Sequence, residues 1–250
     1  GMHMDEKSHT RGNASRNKGD VEVHAGAHAQ LSNVELDGDA FTIHKEAKVD
    51  LFGCNKKCKK MTNRGECNMR ACRLEMDIDN HGQMGRFLSE STGTTTAHDR
   101  SFLEDVQVKH KKRPEGERPS YHIPPAATTK IEMTQVQDDN NTSLVRAEAG
   151  AMLELNANTI TAKRLADLDP SSSGSVAITG NNAVDEKSSL PASYSTNKKE
   201  REPFVRGTAT VPSMEEEAPA LELPAAEAIA GLSDQQHRIY QRLTGRAYAM

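Results

Sequence analysis

The chain has 250 residues and no tryptophan, and aromatic residues make up only 4% of it. Aromatic side chains supply much of the buried area in ordinary globular cores, so a thick, aromatic-filled core is excluded. Hydrophobic residues reach 35%, thin for a packed interior, and part of the chain is expected to be disordered. No apolar run approaches the roughly 18 residues of a membrane span, so no spanning helix is expected. The stretch from Gly1 to Asp20 is polar and lacks the apolar centre of a signal peptide, which favours an intracellular setting. Proline is absent before Pro114, so nothing in the first part of the chain forbids strand ladders. Charge of one sign is also lacking: 32 Lys and Arg face 36 Asp and Glu, a net charge of -4 that selects no partner.

What is present is a line that returns. Val21–Val34 lies over Phe41–Cys54 at a shift of 20 and over Val145–Asn158 at a shift of 124. Val21, Val23, Ala27, Ala29 and Leu31 are apolar, and so are their counterparts in both copies. Alternation means strands, and alternation recurring at about 20 residues means coils that stack. Fainter echoes fall at Leu74–Ile78, Leu103–Val108, Lys130–Val136 and Ser175–Thr179. With Leu31, Leu51, Met76, Leu103, Met133 and Leu155 as markers, the wider steps are assigned to polar loops at 55–72, 82–100 and 109–128. Asp37-Gly38 closes the first coil, and Gly150 repeats Gly26 where the chain must bend.

The pattern V-x-V-x-x-G-A-x-A-x-L-x-N-V-x-L-D-G, from Val21 to Gly38, resembles the right-handed parallel β-helix. That is the fold of pectate lyases and of many repeat proteins without their chemistry. The resemblance covers about residues 20–185 and implies a mainly β chain, a β-solenoid. Residues 1–19 read as a flexible arm, 186–224 as a disordered linker, and 225–250 as a short amphipathic helix. That helix opens with the Ser233-x-x-Gln236 capping form and carries Ile239, Leu243 and Ala247 on one stripe.

In-register stacking decides which residues meet. Inward apolar positions put Glu22, His24, His28 and Gln30 outside, pairing His24 with His44, His28 with Lys48, and Gln30 with Asp50 one coil apart. The histidine pair is a candidate for a metal or a sugar hydroxyl, but a transition metal wants three or four ligands and no third histidine shares the column. Asp37–Phe41 and Asp79–Gly85 resemble the acidic and His-Gly segments of polygalacturonase-like hydrolases, which makes Asp39, Asp77, Asp79 and His81 candidate catalytic residues. Hydrolysis needs two carboxylates across the scissile bond, and the family's paired Asp-Asp and Arg-x-Lys segment are missing, so ordinary turns compete with this reading. The lyases of the fold use acidic calcium ligands and an arginine base, and no such cluster is found.

Cys54, Cys58, Cys67 and Cys72 have the spacing C-x3-C-x8-C-x4-C. Reduced thiols, disulfides and zinc all remain open, though the C-x2-C knuckles of structural zinc sites are absent. Cys54 aligns with Val34, a buried position. No cofactor is expected apart from zinc at these cysteines. Lys56, Lys57, Lys59 and Lys60 begin a basic stretch, and 109–113 forms another; either contacts phosphates or is simply solvated. Three function classes follow: a non-catalytic scaffold that binds a protein or polysaccharide, a polysaccharide lyase or hydrolase, and a nucleic-acid binder. The first is preferred because each catalytic constellation is incomplete.

Overall fold

A computed structural model describes residues 2–4, 9–13, 16–17, 19–114, 117–186 and 190–201, with side chains only between 19 and 196. The segments 202–224 of the expected linker and 225–250 of the expected helix lie outside the described residues.

All strand pairings are parallel, and they sort into three sheets that the chain visits in turn. The first complete coil runs Val21–Val23, His28–Ser32 and Glu35–Leu36 before Ala40–Ile43 stacks on its first strand. The protein is a parallel β-helix, right-handed, as crossovers between parallel strands generally are. In the span 21–40 the buried apolar residues are Val21, Val23, Ala27, Ala29, Leu31, Val34 and Leu36. A coil therefore closes its interior with about a third of its positions, which is why 35% hydrophobic content suffices. The interior is only one side chain deep from each sheet, so Val, Leu, Ala and Met fill it without tryptophan.

One inward column of the first sheet runs Val21, Phe41, Met61, Ile78, Thr95, Tyr121 and Val145. Its steps shorten from Met61 to Thr95 and lengthen from Thr95 to Val145, so coils lie where the sequence suggested loops. Within 55–72, Asn55–Asn63 and Glu66–Arg70 are strands, and within 82–100, Gln83–Ser91 and Thr95–Ala97 are strands. Leu51 stacks on Met69, not on Met76. The alternation faded there because the interior itself turns polar: Lys56, Asn63, Asn80, Arg86, Ser91 and Thr95 are all buried. The coils also continue past both proposed ends. Segments 2–4, 9–13 and 16–17, inside the stretch read as an arm, pair with 21–23, 28–32 and 35–36. Tyr194–Arg201, beyond 185, pairs with the strand Ser173–Thr179.

Two corners repeat. Between the second and third sheets one residue per coil takes a left-handed backbone: Asn33, Gly53, Ala71, Leu88, Gln107, Gln135, Thr159 and Gly180, with φ from 49° to 77°. Between the first and second sheets Gly26 and Gly150 take φ of 79° and 70°, as their shared place in the repeat required. Two coils shorten this corner by burying asparagine. Asn63 Nδ2 donates to Asn80 Oδ1 and to the Gln83 carbonyl, both at 2.9 Å, and Asn80 Nδ2 donates to the Phe102 carbonyl at 3.0 Å. Gly65 and Gly82 follow because a Cβ there would sit 2.2 Å from the Ala47 oxygen or 2.1 Å from the Gly65 oxygen.

Candidate functional site

Of the seven histidines whose side chains are described, five (His24, His44, His81, His98 and His122) lie on the outer surface of the first sheet or at its corner with the second. Inward Val23 and Ile43 orient their neighbours outward, so His24 and His44 stack with ring centroids 5.0 Å apart and 13° between planes. Glu22 joins them diagonally across the coils, its Oε1 2.6 Å from His44 Nε2. Column matching alone missed this third group, because it sits two positions back from His24 rather than in the same column.

Further along, His81 and His98 stack at 3.9 Å and 8°. Burial and the neighbouring His98 lower the pKa of His81. Asp79 accepts from Lys60 and lies 3.1 Å from His98. Burial raises its pKa, but the Lys60 and His98 contacts outweigh that and hold it below the usual carboxylate value. Asp77 behaves alike. Arg118 donates to both its oxygens at 2.9 and 3.0 Å and the Thr94 N–H donates at 3.0 Å, which together overcome burial and depress its pKa. Asp39 is exposed, 3.7 Å from Lys59. A general acid needs a raised pKa, and Asp77 and Asp79 are shifted the other way. His81 belongs to the Asn80-x-Gly82 corner described above. Asp39, Asp77 and Asp79 each lie beside a cation, Lys59, Arg118 and Lys60 respectively.

On the second sheet, Gln30 and Asp50 are register partners, as are His28 and Lys48. Asp50 is only 4% exposed although it points outward; His28 Nε2 lies 2.7 Å from its Oδ2. Burial raises its pKa, against the pull of His28 and Lys48.

The basic stretch divides. Lys56 corrects the expectation of a binding lysine: it points inward, 1% exposed, with Nζ 5.2 Å from the Phe41 ring centroid. Burial lowers its pKa. Lys57 and Lys59 remain exposed, near Glu75 at 3.8 Å and Asp39 at 3.7 Å. At the corner leading from the third sheet to the first, Lys59 from one basic stretch and Arg113 from the other line a single pocket with Asp77, Gly93 and Arg118. Arg113 is 7% exposed and donates to Ser120 Oγ at 3.2 Å and to the Arg118 carbonyl, while its Nε has no partner.

All four cysteines are buried and free. Cys54 and Cys72 hang from the third sheet, with Sγ donating to the carbonyls of Leu31 and Arg70 at 3.4 Å each, and Cys58 Sγ lies 3.3 Å from Met76 Sδ. Cys67 sits in the second-sheet column of Ala29 and Val49. Burial pushes the thiols of Cys58, Cys67 and Cys72 up, whereas the Cys72 hydrogen bond pulls Cys54 down. Among the described residues only Glu22, His24 and His44 bring three candidate ligand atoms together, within 4.8 Å. The cysteine set does not: Cys54 and Cys72 are neighbours in one interior column, whereas Cys58 and Cys67 lie in others. No sequence signal marked the buried network at Arg86, whose two bonds to Asp105 measure 2.8 and 2.7 Å.

No family model, curated protein or solved structure matches this chain. Among the described residues no helix is long and apolar enough to cross a membrane.

Proposed function

We propose that the chain is a non-catalytic β-helix module that binds an acidic partner, protein or polysaccharide, along the corner between its third and first sheets. The supporting observation is that Lys59 and Arg113, far apart in sequence, line one pocket with Arg118. Chemistry at Asp39, Asp77 and Asp79 is disfavoured because cations already hold them. The same convergence favours nucleic acid as a second reading, since phosphates suit clustered Lys and Arg. Interleaved Glu75 and Asp77 and the lack of aromatic platforms weigh against it.

The full chain should be titrated by calorimetry with an acidic peptide, a polyuronate and single-stranded DNA at low and high salt. Replacing Lys57 and Lys59 by Glu should weaken binding at least tenfold and reduce its salt dependence. Release of unsaturated or shortened sugars from the polyuronate would overturn the non-catalytic reading. Binding unchanged by both substitutions would move the interface elsewhere.

A further inference from the structure

The first two complete coils bring together a donor set that the basic corner does not involve. Val23 and Ile43 are fully buried, so the backbone on either side of them is held by the core. Glu22, His24 and His44 project from that held backbone and are each only partly exposed. Stacking repeats an outward position from coil to coil, which sets the two imidazoles side by side at 5.0 Å. Glu22 closes the third side through its 2.6 Å contact with His44 Nε2. The candidate ligand atoms lie within 4.8 Å of one another.

Two imidazole nitrogens and one carboxylate oxygen form a donor set suited to a borderline divalent ion, with a coordination position left for water or a partner's group. We propose that Glu22, His24 and His44 bind such an ion, of the zinc class, and so bridge two successive coils. Bonds of about 2.0–2.1 Å need the donors drawn in to roughly 3.3 Å from one another. Side-chain rotations of partly exposed groups provide that movement while the backbone stays fixed.

The second histidine stack offers a built-in comparison. His81 and His98 are closer, at 3.9 Å, but Asp79 beside them is occupied by Lys60 and no three donors converge. The second stack also has a diagonal carboxylate, Asp79 at 3.1 Å from His98, but Lys60 holds it.

The test is calorimetric titration of the full chain with zinc at pH 7.5, with cobalt(II) absorption reporting the coordination. The expected result is one ion at this site and a melting temperature that rises with zinc. Glu22→Gln, His24→Ala and His44→Ala should each weaken binding at least tenfold, and a double His81→Ala, His98→Ala variant should bind as the parent does. Far-UV circular dichroism checks that each variant is folded, and His24→Gln and His44→Asn replace any alanine variant that is not. Failure of the parent to bind zinc, full binding by all three single variants, or an equal loss in the comparison variant would each overturn the proposal.

Discussion

Arg86 and Asp105 occupy the interior column that holds Leu31, Leu51 and Met69 in earlier coils. Both are 0% exposed; Arg86 spans both carboxylate oxygens of Asp105 and also donates to Thr95 Oγ1 at 2.9 Å. Tyr121 donates to Asp105, and His110 Nε2 lies 2.8 Å from the Tyr121 hydroxyl. A buried pair gains little over a well-packed apolar pair, but breaking one partner strands the other charge. Asp105→Ala should therefore cost about 3–5 kcal/mol, while Arg86→Met with Asp105→Leu should cost less than the single change, as urea unfolding would measure. His110 gives this network a pH dependence. Burial, with Arg86 and Arg113 near, lowers its pKa well below 6.5, so it stays neutral in the folded chain. The stability this contributes is present above pH 6.5 and is lost as pH falls, because only the unfolded chain then takes up the proton. The limiting slope is about 1.4 kcal/mol per pH unit. Unfolding midpoints between pH 7.5 and 5 should show it, and His110→Gln should flatten it; an unchanged slope would remove His110 from the account.

At the scale of the element, the corner between the second and third sheets lets a single strand such as Met152–Ala162 belong to two sheets. Its one left-handed residue turns the strand without breaking the ladder on either side. Glycine or asparagine fits there, as at Gly53 and Asn33, but Thr159 takes φ 52° with a β-branched side chain. Thr159→Asn should raise stability by about 0.5–1 kcal/mol by easing that strain, read as a higher urea midpoint. The other corner trades length for a buried amide: the two short coils use Asn63 and Asn80, whose hydrogen bonds stand in for the missing stretch of backbone. In sequence Asp79–Gly85 resembles the His-Gly segment of a hydrolase, with an ordinary turn as the preferred reading. The structure turns Asn80 inward at this corner, and the Lys60 and His98 contacts hold the pKa of Asp79 down.

For the whole molecule, each coil rests only on its neighbours, so stability accumulates coil by coil and the end coils expose unpaired strand edges. The strand Tyr194–Arg201 covers the edge of Ser173–Thr179. Ending the chain at Asp185 removes that cover and bares an edge with Val176 and Ile178 beneath it. Such a chain should associate, seen as a larger species by light scattering, whereas a chain ending at Arg201 keeps the pairing. Equal monomeric behaviour of both would show that this edge needs no cover.

The sequence by itself determined the coil: where inward positions are apolar, the period within a strand and the return from coil to coil can be read directly, and they set His24 beside His44 and Gln30 beside Asp50. Tertiary structure alone decided what happens where those positions turn polar. Arg86 and Asp105 satisfy each other only because one full coil of chain returns the second to the first, and neither shows in isolation that it is a core residue. The same limit hid Lys56 inside the β-helix, Glu22 beside His44, and the pocket that Lys59 and Arg113 both line. Period is a local property of the chain, whereas diagonal contacts, pKa shifts and pockets depend on coil length. In the first sheet that length is short from Met61 to Ile78, where Asn63 closes the corner, and long from Thr95 to Tyr121.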